Sequence, residues 1–166
     1  MKPLIFIFLF LSFKTYPQNL ITIEPDTQID AALVIIDNTV KTNWKSILFH
    51  PYKLASTKTL NPSQAVSKYG ENAKNGAIEM KFAVKIRFVS VDSLYKHFKI
   101  NPADQKLNIV LNKKLIADKN KILIDEDLMN RLTMQTAETI NHVTGKKEQV
   151  VAIFINDKTD EYSNNE

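Results

Sequence analysis

Apolar and polar positions alternate most clearly between Ile78 and Phe88, where Ile78, Met80, Phe82, Val84, Ile86 and Phe88 interleave with Glu79, Lys81, Ala83, Lys85 and Arg87. A period of two sends the two sets to opposite faces, so this segment predicts a strand central to the core, covered on one side and wet on the other. Upstream, Ala32-Leu33-Val34-Ile35-Ile36 is a β-branched run stopped by Asp37-Asn38, the pattern of a buried strand entering a tight turn and beginning a hairpin. After Trp44–Phe49, Asn61-Pro62 opens a helix, with Asn61 as N-cap and Pro62 in the first turn. Ala65, Val66 and Tyr69 share one face of that helix. Gly70 follows directly, where helices commonly stop on a left-handed residue, so Gly70 is expected to have positive φ. Asn75-Gly76 then turns the chain into the alternating strand.

A second pattern of the same kind starts at Leu107-Asn108-Ile109-Val110-Leu111-Asn112. An offset of 74 residues lays Leu33 on Leu107, Ile35 on Ile109, Asn38 on Asn112, Leu54 on Leu128, Thr59 on Thr133, Val66 on Ile140 and Met80 on Phe154. Ala137 to Val143 is read as a helix ahead of Gly145, and Val150–Ile155 as the strand after it. All three glycines of the chain are thereby expected between a helix and a strand. Val91–Phe98 predicts a short helix, and residues 100–105 a connector. The fold class is therefore α+β: small βαβ units with a mixed sheet, in two tandem copies packed through their apolar faces. The divisions are 1–18, 19–30, a first unit at 31–90, a connector at 91–106, a second unit at 107–157 and a polar tail at 158–166 that is expected to be disordered.

The N-terminus departs from these patterns. Lys2 precedes the apolar run Leu4–Phe13, which ends at Lys14. A charged start and an apolar stretch about half the ~20 residues of a membrane-spanning helix are the marks of a secretory signal peptide, with processing expected near Gln18. An uncleaved anchor is the alternative. No later segment is apolar enough to span a membrane.

Composition narrows the chemistry. The chain has no cysteine, which excludes disulfides, thiolate metal sites and a cysteine nucleophile. Without Lys2 and Lys14, 20 basic residues face 18 acidic ones, a balance that does not call for nucleic acid. Three histidines, His50, His97 and His142, are widely spaced and form no helical metal pair, and packing is the simpler role for each. Asp125-Glu126-Asp127 suits a helix N-terminus, where negative charge is favoured, and lacks the ligand spacing and central glycine of a calcium loop. No nucleophile elbow, phosphate loop or dinucleotide glycine pattern occurs. No catalytic, cofactor-binding or metal-binding residue is assigned.

One longer arrangement carries a resemblance. The stretch Leu60 to Phe82, "LNPSQAVSKYGENAKNGAIEMKF", resembles the segment of TonB-dependent outer-membrane receptor plug domains that reads as alanine, YG, a few residues, asparagine-glycine and an apolar strand. Tyr69-Gly70 and Asn75-Gly76 match it at the usual spacing. "ALVIIDNTV" is similar to the family's valine-rich strand and turn, with Asn38 after Asp37 where the family typically has glycine. The resemblance covers about residues 31 to 84 and implies a plug-like α+β fold and a cell-envelope location. The motif residues it marks are Asp37, Asn38, Tyr69, Gly70, Asn75 and Gly76, to which the repeat adds Gly145. A receptor barrel of about 22 strands, each of about 9–11 residues, does not fit in this length. The expectation is an exported, periplasmic or secreted, non-catalytic binding or accessory module whose partner is another envelope protein. The alternative is a small hydrolase-like enzyme using His50 or His142 with a distant carboxylate.

Overall fold

The computed structural model describes residues 20–140 and 145–156. The expected signal peptide at 1–18, His142 and the tail expected to be disordered at 158–166 lie outside the described residues. The strands are β1 (Leu20–Ile21), β2 (Leu33–Ile36), β3 (Thr39–Asn43), β4 (Ile47–Leu48), β5 (Leu54–Leu60) and β6 (Ala77–Phe82), with helix α1 (Pro62–Tyr69) between the last two. Then come β7 (Phe88–Val89), helix α2 (Val91–His97), β8 (Asn108–Leu111), β9 (Lys114–Ile116), β10 (Leu123–Asp125), β11 (Leu132–Ile140) and β12 (Lys147–Ile155). They form three mixed sheets, and the fold is α+β.

The first sheet has the order β3-β2-β6-β5, with β2 and β6 parallel. Its hairpin turns on Asp37 and Asn38, both with positive φ (50° and 59°), as a two-residue I′-type turn requires. α1 begins with a reciprocal capping box: the Asn61 side chain accepts the Gln64 N–H at 2.9 Å, and the Gln64 side chain accepts the Asn61 N–H at 3.2 Å. One face of the sheet packs Leu33, Ile35, Leu60 and Ala77 against Ala65 and Tyr69 of α1. The other buries Val34, Ile36, Ile78 and Met80 with the rings of Trp44, Phe49 and Phe82.

Gly70 ends α1 by donating its N–H to the Val66 carbonyl at 2.8 Å. Its φ of +79° is positive as expected, but ψ of −175° places it in the mirror-extended region, which is essentially restricted to glycine, and not in the left-handed helical well. A Cβ there would meet nothing within 4 Å, so only backbone strain opposes a side chain. Gly70→Val is expected to destabilise by about 2 kcal/mol in urea unfolding, and a change under about 0.5 kcal/mol would contradict the strain argument.

The second sheet has the order β1-β11-β12-β8-β9. Within it β9-β8-β12-β11 repeats the first sheet's β3-β2-β6-β5, with β8 and β12 parallel as β2 and β6 are. Its hairpin turns on Asn112 and Lys113, again both with positive φ. The correspondence differs from a uniform offset of 74. Asp37-Asn38 answers to Asn112-Lys113, one residue later, and Met80 to Ile153, one residue earlier, because Ile36 pairs with Met80 as Leu111 pairs with Ile153. A one-residue slip inverts every side chain in a strand, so the offset of 74 exchanges inward and outward faces.

Three further expectations are corrected. The alternating strand ends at Phe82, since β5 and β2 offer partners only as far as Leu54 and Ile36; after the Ala83 N–H bonds the Lys53 carbonyl the chain leaves the sheet. Phe88 and Val89 join another sheet. Residues Ala137–Ile140 belong to β11, not to a helix, and β11 pairs with β12 along nine consecutive residues. Gly145, with φ +66°, therefore precedes β12 on the way from another strand.

The third sheet, β4-β10-β7, stands between the other two. β4 and β10 occupy equivalent places in the two units and pair in parallel, Ile47 with Leu123 and Leu48 with Ile124. Alternation sends Ile47, Leu123 and Phe88 into the first core, and Leu48, Ile124 and Val89 into the second. That second core also takes Val91, Leu94 and Tyr95 from α2, so residues 91–97 are core elements as well as a connection. Ahead of β2, the segment after β1 is tied to the second hairpin: the Glu24 N–H donates to the Lys113 carbonyl at 2.9 Å, and Lys114 reaches Asp30 at 3.0 Å.

Candidate functional site: an open sheet edge beside a groove

α1 covers only one end of its face of the first sheet. Beyond the helix the same face continues as a groove of about 620 Å³, lined by Ile35, Asp37, Asn38, Ser56, Thr57, Lys58, Glu79, Met80, Lys81 and Phe82. Paired residues of an antiparallel ladder share a face, so Lys58 stands beside Glu79, and Ser56 beside Lys81. Residues 55–59 of β5 are exposed throughout, and among the described residues no strand lies on its outer edge.

The charges in the groove are not balanced pairwise. Glu79 accepts from Lys68 at 2.7 Å and from the Tyr69 hydroxyl at 2.8 Å, and these bonds hold its carboxyl below the usual range while raising Lys68. Lys58 and Lys81 make no ion pair with a described residue. The groove thus presents two ammonium groups outside any ion pair among the described residues, Lys58 within electrostatic reach of Glu79, over an apolar floor at Ile35, which is 1% exposed.

The motif residues divide around this site. Asp37 and Asn38 form one rim, and Tyr69 orients Glu79. Gly70, Asn75 and Gly76 lie between α1 and β6 and shape the backbone without lining the groove. Gly145 belongs to the second sheet and does not join them.

A second cluster sits where the two units meet. Lys53, in the turn between β4 and β5, donates to Asp125 Oδ1 at 2.9 Å and to Asp127 at 2.5 Å, and its amine lies 2.8 Å from Asp125 Oδ2. Asp125 is 1% exposed and also accepts the His50 backbone N–H at 3.4 Å. The hydrogen bonds to the two aspartates push the Lys53 amine up to about 12, and the Lys53 bond holds Asp127 below the usual carboxylate range. Lys53 therefore stays protonated at neutral pH, so its amine is neither a base nor a nucleophile there. The contribution of this pairing is present between the two titrations, lost at the acid end as pH falls through the lowered Asp127 and at the alkaline end as it rises through about 12.

His50 is buried, and its ring packs on that of Tyr52 at 4.8 Å. Its imidazole makes no hydrogen bond to a carboxylate or hydroxyl of a described residue. The arrangement is a clasp between units. Sequence reading marked the carboxylate run 125–127 but not Lys53, whose partner lies 72 residues away.

Among the described residues no group of three or more histidine, aspartate or glutamate side chains is placed to hold a metal ion, and no helix is long and apolar enough to cross a membrane. No protein-family model matches this chain, and neither a curated protein nor a solved structure matches it.

Proposed function

We propose that this chain is a non-catalytic binding module of the cell envelope, exported to the periplasm or secreted, with a plug-like domain that engages another envelope protein. The observation that carries this reading is the edge of β5, open among the described residues, beside a groove in which Lys58 and Lys81 make no ion pair with a described residue. Exposed sheet edges are a recurrent means of holding extended segments of other proteins. The resemblance around Tyr69-Gly70 and Asn75-Gly76, and the charged-then-apolar start of the chain, supply the envelope part of the reading. For the alternative, a hydrolase-like enzyme, His50 lacks a hydrogen-bonded carboxylate or hydroxyl among the described residues.

Export is tested by mass spectrometry of the protein recovered from the producing cell. A mature N-terminus between residues 17 and 20 is expected, and an intact Met1 on a cytoplasmic product would contradict it. Cross-linking of the tagged mature protein in envelope extracts is expected to retain one partner in near-stoichiometric amount. Purification without any retained partner would remove the reading that the module engages an envelope protein.

A further inference from the structure

We propose that β5 takes an extended segment of the partner protein as an added strand, and that this segment carries carboxylates at the alternate positions facing the groove. The inference rests on the binding-module reading and names the chemistry of the partner.

Three observations carry it. First, the edge is built for pairing along part of its length: a bulge disturbs the register between Leu54 and Ser56, but Thr57–Leu60 pair regularly with β6 and keep the other side of the strand open. Second, strand addition supplies main-chain hydrogen bonds, and neighbouring pockets select alternate side chains. Here those side chains would meet Lys58 and Lys81, because Glu79 is hydrogen-bonded by Lys68 and Tyr69 and is influenced least by Lys58. Third, the equivalent strand of the second sheet already takes an added strand. β1 lies parallel on β11, Leu20 opposite Glu138 and Ile21 opposite Thr139, with the Thr139 hydroxyl donating to the Ile21 carbonyl at 3.0 Å. That addition is at the far end of β11; the corresponding positions after β5 are Asn61 and Pro62, where α1 starts, which leaves residues 55–60 as the available edge.

A second copy of this chain is a poorer occupant. Pairing β5 with itself would bring another Lys58 to the same edge, and a lysine in an edge strand is a common defence against such self-pairing. A segment with aspartate or glutamate turns the same lysine into an attraction.

The test uses the full chain and fluorescently labelled nine-residue peptides alternating valine with glutamate, or valine with lysine, read by anisotropy at low ionic strength. The glutamate peptide is expected to bind at least tenfold tighter than the lysine peptide, to weaken with added salt, and to lose binding when alternate residues are N-methylated on the edge facing β5. The preference is expected to reverse in the Lys58→Glu, Lys81→Glu double variant. If that variant does not fold, the N-methylated peptides with the wild-type chain decide. Equal binding of the two peptides, or indifference to N-methylation of either edge, overturns the proposal. So does self-association that the glutamate peptide displaces, which would assign β5 to a second copy. An envelope partner retained equally by wild type and the double variant would leave the binding module standing and overturn strand addition. Peptide binding as expected with no envelope partner would support strand addition and remove the envelope reading.

Discussion

Gly76→Ala is expected to lower unfolding stability by about 3 kcal/mol, more than the same change at Gly70, although both glycines have positive φ. The difference is the space. A Cβ on Gly76 would lie 2.9 Å from the Leu60 carbonyl oxygen, a backbone atom that no rotamer change can move aside, whereas Gly70 faces open space. The backbone around Gly76 is also committed, since its N–H donates to the Ala73 carbonyl at 2.8 Å and its own carbonyl accepts from the Leu33 N–H at 3.1 Å. Any shift that relieves the contact disturbs the entrance of β6 into the parallel ladder with β2. Urea midpoints of Gly70→Ala and Gly76→Ala measured together test this; a Gly76→Ala loss equal to or smaller than that of Gly70→Ala would show that Leu60 yields.

Lys53→Met is expected to cost about 3 kcal/mol, because it leaves the carboxylate of Asp125, 1% exposed, without its cation. Replacing both partners tells the two sources of the effect apart. The double change Lys53→Met, Asp125→Leu removes the stranded charge along with the pair and is expected to recover at least half the loss, since apolar replacements of buried ion pairs are often near neutral. Asp127→Asn is expected to leave the unfolding midpoint much closer to wild type than Lys53→Met does, because that carboxylate is largely exposed to solvent. Chemical denaturation of the four proteins in one buffer provides the comparison. A double variant no better than Lys53→Met alone would mean that packing, not the unpaired charge, sets the cost.

What sequence reading found in this fold is local. The turn at Asp37-Asn38, the cap at Asn61, the positive φ of Gly70 and the turn at Asn75-Gly76 into the strand each depend on residues within a few positions of one another, and each is present. The strand beginning near Ile78 was legible for the same reason, but its end was not. Alternation runs on to Phe88, while the ladder stops where β5 and β2 run out of partners. The error at Ala137–Val143 has a related origin: Thr133, Thr136 and Thr139 favour a strand, and only the nine-residue pairing with β12 shows which tendency prevails. The repeat was visible as composition, but its register depends on which residues pair across the ladders. At the candidate site, Asp37, Asn38 and Tyr69 were marked by the turn and the resemblance. Lys58 and Lys81 were not, because their significance comes from Glu79 being occupied by two residues of α1.

The middle sheet gives assembly an order in time. β4 contributes one residue to each core, yet the strand that holds it in place is β10, and the clasp beside them joins His50 to Asp125 across 75 residues. A chain emerging N-terminus first can close the hairpin and α1 early, but the wall of its first core is missing until β10 arrives. Long-range pairing of this kind slows folding, because loop closure must precede the contacts that reward it. The first half alone therefore lacks the strand that holds β4 against its core. Both cores are complete only once β10 has paired, so each half of the chain depends on the other for its last wall.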